Sequence, residues 1–184
     1  MRYDLQVSRI SAVLIFSFVL ISSTAHAEPR IGDEAPALGL PALDGNLVER
    51  ARGVVTVVDF YATWCGPCQE ALVHLGALSE TFGPVVNVVL VDVSEPAATV
   101  RAFFAAHPLP AGVRVVLDAD GVASSRWGRN RFPTTFIVDG GGVIRFINRG
   151  YGPGYGARIR QRVTATLEAA AAPEARPLPK NSAK

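Results

Sequence analysis

Cysteine is scarce in this chain. Among 184 residues there are two, Cys65 and Cys68, three positions apart. That scarcity excludes a scaffold stapled by disulfides, whose cysteines would be spread along the chain. The one possible loop is too short to restrain much of the unfolded chain. A cysteine–histidine zinc site is excluded as well, because no second Cys/His pair exists and His74 and His107 are isolated. Net charge is also low. Eighteen Lys and Arg against sixteen Asp and Glu leave +2, too little to direct the chain to nucleic acid or to an acidic membrane surface. No internal repeat is visible.

Apolar residues are plentiful, at 49% of the chain, enough for a packed core in a single domain. The N-terminus has a pattern of its own. Arg2 and Arg9 precede an apolar run from Ile10 to Ile21, and Ser22 to Ala27 ends in small residues in an A-x-A arrangement. A helix of that run would span about 18 Å, against roughly 30 Å for a bilayer core. Residues 1–27 are therefore read as a cleavable signal peptide, with an uncleaved anchor helix as the alternative. No cysteine lies near the cleavage site, which excludes a lipid-modified N-terminal cysteine. The expected destination is the periplasm, where disulfides persist. Residues 28–172 are expected to form one domain. The tail 173–184, with its Pro, Lys and Ser, is expected to be disordered.

Periodicity predicts the elements. Residues 28–46, with Asp44-Gly45-Asn46 as a turn signal, read as a short hairpin or an extended lead-in, ending near Leu47-Val48. Val54 to Phe60 and Val85 to Val93 are β-branched runs suited to strands buried on both faces. Leu72, Leu75, Leu78 and Phe82 recur at helical spacing, and Gly83-Pro84 stops that helix. Ser94 and Glu95 are expected to cap a helix from Pro96 to about Ala106. A short strand over 113–117 and a short helix toward Trp127 follow. Thr134 to Val138 and Val143 to Ile147 read as a hairpin across Asp139-Gly140-Gly141-Gly142, and 157–171 as a final helix. A βαβ half followed by a ββα half implies a central mixed sheet with helices on both faces.

The chemistry centres on Trp64-Cys65-Gly66-Pro67-Cys68, at the turn from a strand into a helix. A C-x-x-C pair there is a dithiol that opens and closes as a disulfide. A helix N-terminus favours negative charge, so Cys65 is read as the exposed nucleophilic thiolate. Cys68, one turn further in, is read as the shielded resolving thiol. Pro67 is tolerated in the first turn, where a missing N–H removes no helix bond. Trp64 can cover one side of the pair.

Three stretches carry a family likeness: residues 32–36 with 40–45, the run Asp59 to Cys68, and Phe132-Pro133-Thr134-Thr135-Phe136-Ile137-Val138-Asp139. Together they resemble the TlpA/ResA/DsbE-like thiol–disulfide oxidoreductases of the thioredoxin-fold family. The resemblance implies a thioredoxin fold, an α/β class with a central mixed sheet flanked by helices, here with an N-terminal hairpin extension. It implies that Pro133 is cis and packs against the C-x-x-C, and that Phe132 offers its backbone to a client. Trp64, Gly66, Pro67, Phe132 and Pro133 are then the expected substrate-binding residues. Asp59 stands where members often carry Asn. As a carboxyl buried beneath the dithiol it would have a raised pKa and accept the Cys68 proton; the alternative is a strand-end carboxylate bonded to backbone. The family's usual glutamate after the second cysteine is replaced by Ala71, and Glu70, about 100° round the helix, is expected to face solvent. Arg131-Phe132 replaces the usual Gly-x before the proline. Arg126, Arg129 and Arg131 read either as a solvated edge or as a contact for an acidic partner.

The expected activity is exchange of a Cys65–Cys68 disulfide with client proteins carrying thiols or disulfides. The family implies reduction, with apocytochrome c among the clients and a membrane thiol donor as the electron source. No metal or organic cofactor and no nucleic acid is expected, and the protein is expected to be a monomer. Two alternatives stand beside this reading: a peroxiredoxin-like thiol peroxidase, and a non-catalytic redox-sensing or client-docking module.

Overall fold

The structure, a computed structural model, describes residues 28–129 and 131–172. The expected signal peptide 1–27 and the tail 173–184 lie outside the described residues.

The central strand is β3 (Val55–Tyr61), every residue of it buried. Its β-branched run suits a pleated surface covered on both sides. It pairs in parallel with β4 (Val86–Val93), which pairs in parallel with β5 (Val113–Asp118). On its other side β3 pairs antiparallel with β6 (Thr134–Val138), and β6 with β7 (Ile144–Arg149), giving the order β5-β4-β3-β6-β7. Helix α1 (Gly66–Phe82) links β3 to β4, and α2 (Ala97–Ala106) links β4 to β5. A short α3 (Val122–Arg126) precedes β6, and α4 (Tyr155–Ala171) follows β7. This is a thioredoxin-like fold.

Side chains alternate across β3 and build two cores. Val55, Val57 and Tyr61 join Leu72, Leu75 and Leu78 of α1, Val100 of α2, and Ile159 and Val163 of α4. Val58 and Phe60 face the other way, with Phe136, Val138 and Trp127, under Ala35, Leu38, Leu40 and Val48 of the N-terminal segment. Asp59 lies between Val57 and Tyr61 in the alternation, so it shares the α1 side of the sheet.

The N-terminal segment contains the expected hairpin, β1 (Leu40–Pro41) against β2 (Leu47–Val48). It also does something periodicity does not reveal: it guards both edges of the sheet. Gly32 N–H donates to Ile144 O at 2.8 Å and Ile144 N–H to Asp33 O at 2.9 Å, beside β7. Leu43 N–H donates to Val115 O at 3.2 Å, on β5. Partly covered edges offer a shorter unpaired ladder to other chains.

One expectation is overturned. Ser94 and Glu95 do not cap α2, whose N-cap is Pro96 with no side-chain capping bond. Ser94 takes a left-handed φ of 63°, and the Glu95 carboxylate bonds Thr63 instead. A partner 32 residues away has won over the local cap.

Candidate active site

Helix α1 opens on the cysteine motif. Cys65 is its N-cap, with extended backbone, and Pro67 lies in the first turn. The Cys68 and Gln69 amides donate to Cys65 O at 2.9 and 3.1 Å. The Cys68 N–H also lies 3.3 Å from Cys65 Sγ. The sulfur of Cys65 thus sits where an N-cap oxygen would, facing the positive end of the helix dipole. The two cysteines are joined as a disulfide, their Cα atoms 5.2 Å apart. Cys65 keeps 7% of its surface accessible and Cys68 none. In the disulfide form Cys65 is thus nearly closed off, less open than a freely exposed nucleophile.

Trp64 is 70% exposed, so most of its indole stands in solvent. Its ring meets Phe132 edge to face, with centroids 5.7 Å apart. The Arg129 guanidinium lies over the Phe132 ring at 4.7 Å. The Phe132–Pro133 peptide is cis. Two bonds hold that loop: Thr134 Oγ1 donates to Arg131 O at 2.8 Å, and Gly150 N–H to Pro133 O at 2.7 Å. Of the three arginines in this region only Arg129 stacks on the aromatic pair; Arg126 and Arg131 are exposed. Glu70 is exposed and Ala71 is fully buried.

Asp59 is fully buried in the interior of β3, not at a strand end, and its partner is a side chain. Thr135, its cross-strand neighbour on β6, donates its hydroxyl to Asp59 Oδ1 at 2.6 Å. Tyr155, the first residue of α4, lies with its hydroxyl 2.8 Å from Thr135 Oγ1. Thr135 has one proton to give, so with Asp59 ionised the relay runs Tyr155 to Thr135 to Asp59. Among the described residues, Asp59 Oδ2 has no hydrogen-bond partner. Burial pushes the Asp59 carboxyl up to about 7, against the opposing pull of the Thr135 hydroxyl. Burial, then the Asp59 charge, pushes the Tyr155 hydroxyl well above its ordinary value.

Thr135 and Tyr155 escape a reading by motif and period. The signal that finds Thr135 is register: once β3 and β6 pair, it stands opposite Asp59 on the same face. Among the described residues, no group of three or more His, Cys, Asp or Glu is placed to hold a metal ion.

Residues 31–147 match the AhpC/TSA family. The chain belongs to that family. Its relatives include a thiol:disulfide interchange protein DsbE homolog of Paracoccus denitrificans (strain Pd 1222), 34% identical over 149 residues, covering 78% of this chain and 79% of the relative. The thiol-disulfide oxidoreductase ResA of Geobacillus thermodenitrificans (strain NG80-2) is 28% identical over 123 residues, covering 65% and 70%. A crystal structure from Chlorobium tepidum, of a protein described as a DsbE-type thiol:disulfide interchange protein, superposes with a TM-score of 0.69 at 28% identity. It covers 75% of this chain and 98% of that one. This member of the AhpC/TSA family is a thioredoxin-like thiol–disulfide oxidoreductase of the DsbE/ResA type, and its partners are thiol-bearing proteins.

Proposed function

We propose that the protein is an exported reductant of client disulfides, with Cys65 as nucleophile, Cys68 as resolving thiol and Asp59 as proton acceptor. The observation that carries this is the Cys65 sulfur on the Cys68 amide at the start of α1. A cysteine there is stabilised as thiolate. In the reduced protein, Cys65 thiolate attacks one sulfur of a client disulfide. A mixed disulfide forms, and the first client sulfur leaves as thiolate. Cys68 then gives its proton to Asp59 and attacks the Cys65 sulfur, and the second client thiolate departs. The client gains two electrons and the protein is left with the Cys65–Cys68 disulfide. A thiol donor at the membrane restores the dithiol.

Asp59 suits its role because a carboxyl near 7 is partly ionised at neutral pH and readily exchanges a proton. Trp64, Gly66, Pro67, Phe132 and Pro133 form the client-facing rim. The chemistry needs no metal and no organic cofactor. Residues 1–27 serve as the export signal and 28–172 as the working domain, a monomer acting in the periplasm, with apocytochrome c cysteines among its clients. Among the described residues, no helix is long and apolar enough to cross a membrane.

Insulin reduction by the mature protein with dithiothreitol tests the activity, with Cys65→Ser as control. The expected result is turnover abolished by the substitution. Cys68→Ser should leave Cys65 joined to its client as a stable mixed disulfide. Client binding that survives Cys65→Ser, with no turnover by the unaltered protein, would mean a docking module instead. Rapid peroxide consumption would mean a thiol peroxidase, and a potential near that of strong oxidants would reverse the direction.

A further inference from the structure

Thr63 stands two residues before Cys65, where β3 gives way to α1. All three of its polar groups are held. Its N–H donates to Glu95 Oε2 at 2.6 Å and its hydroxyl to Glu95 Oε1 at 2.6 Å. Its carbonyl accepts from Gln69 Nε2 at 2.7 Å. The Glu95 carboxylate therefore spends both oxygens on one residue 32 positions away, across the loop that follows β4. It does not cap α2, which takes no side-chain cap. The left-handed turn at Ser94, a conformation disfavoured outside glycine, is where the chain turns just before Glu95.

The neighbours of this carboxylate fit the arrangement. Among the described residues no arginine pairs with Glu95. Asp92 and Tyr61 lie beside it, and burial first, then interaction with Glu95, raises the Asp92 carboxyl to about 8. Asp92 is therefore largely neutral at pH 7 and adds a carboxyl donor beside Glu95, while the two Thr63 bonds hold the carboxylate on the turn.

We infer that Glu95 is a positioning residue for the dithiol: by fastening Thr63 it sets where the Trp64–Cys65 turn leaves β3, and so holds Cys65 Sγ on the Cys68 amide. The inference rests on the proposed thiol chemistry and extends it to a residue outside the motif. Glu95 acts through reach, not charge. A negative charge brought near Cys65 would oppose the thiolate, whereas a clamp that keeps Cys65 at the helix N-terminus favours it.

Reach and charge separate experimentally. Glu95→Gln keeps the length and one acceptor oxygen but loses the charge. Glu95→Asp keeps the charge but is one methylene short, and Glu95→Ala loses both. The readout is the pH dependence of Cys65 alkylation by iodoacetamide in the reduced protein, with the modified site identified by mass spectrometry. Glu95→Asp and Glu95→Ala should raise the apparent Cys65 pKa by about half a unit or more, toward the ordinary ~8.5 of a free cysteine. Glu95→Gln should stay close to the unaltered protein, and insulin reduction should slow in the same order. Glu95→Asp tracking the unaltered protein while Gln and Ala both depart would overturn the inference in favour of charge. All three tracking it would overturn it outright. If Glu95→Ala does not fold, Thr63→Val, which removes only the hydroxyl contact, must still raise the thiol pKa; an unchanged profile sinks the idea. A protein that reduces no insulin yet shows these shifts would defeat the proposed function and leave the clamp standing.

Discussion

Thr135 reaches Asp59 from directly across the β3–β6 ladder, its hydroxyl 2.6 Å from Oδ1, while the other carboxylate oxygen has no partner among the described residues. A single neutral hydrogen bond is poor compensation for burying a carboxylate completely. The carboxyl therefore holds its proton to about pH 7, far above the ordinary 3.8.

That difference makes stability depend on pH. Between about pH 4 and pH 7 the unfolded chain has released the Asp59 proton and the native protein still holds it, so stability falls as pH rises through this window. Asp59→Asn has no proton to hold, and its amide oxygen still accepts from Thr135. Urea unfolding of the oxidised protein should find the variant more stable than the parent at pH 8, by about 2–4 kcal/mol. At pH 3.5 the two should differ little. Equal stability at pH 8 would mean that Asp59 is ionised at no cost.

The same carboxyl should govern turnover. If it takes the Cys68 proton, the rate at which the mixed disulfide resolves should rise with an apparent pKa near 7 in the unaltered protein. Thr135→Val removes the hydroxyl that pulls this pKa down, so the profile should move to higher pH. Stability should drop by about 1–3 kcal/mol, because Asp59 Oδ1 and the Tyr155 hydroxyl both lose their partner. A stopped-flow profile that stays where it was would remove Asp59 from the proton path.

How far this site could be read in advance depends on the range of each contact. The C-x-x-C, the buried run of β3 and the Asp139-Gly140-Gly141-Gly142 hairpin announce themselves because spacing and backbone preference are local. Asp59 is legible through its place just before the motif. Thr135 is not, since its partner is chosen by the register between two strands 76 residues apart in the chain. Ser94-Glu95 misleads because a polar pair before Pro96 has the form of a helix cap, and only the folded chain brings Thr63 close enough to compete. The edge-covering role of the N-terminal segment is hidden for the same reason: its hydrogen bonds are made by backbone, which carries no side-chain signature.

Phe132 should matter for clients as well as for folding. It is half-buried, between the exposed Trp64 indole and the Arg129 guanidinium. Phe132→Ala removes one edge-to-face contact, one cation–π contact and the packing of a half-buried ring against both cores, together worth about 2–4 kcal/mol. The melting temperature should fall by roughly 10 °C. The rim loses its second ring, so KM for a protein client should rise while alkylation of Cys65 by a small reagent stays unchanged. A slower alkylation rate instead would place Phe132 among the groups that activate the thiol.

Gly156 gives a sharper test of how α4 seats on α1. A Cβ built there would stand 2.4 Å from His74 Nδ1 and 2.7 Å from its Cγ, too close for either atom. The His74 ring also packs against Tyr151 and Tyr155, with centroids 6.2 and 6.0 Å away, so moving it disturbs the residue that completes the Asp59 relay. Gly156→Ala would gain about 1 kcal/mol of helix propensity in open space. Here the clash should outweigh that gain and leave the variant about 1–3 kcal/mol less stable. Adding His74→Ala removes the obstacle, so the double variant should be more stable than Gly156→Ala alone. A double-mutant cycle by urea unfolding measures that coupling. Additive effects would mean that α4 meets α1 elsewhere, and that Tyr155 reaches Thr135 without the support of His74.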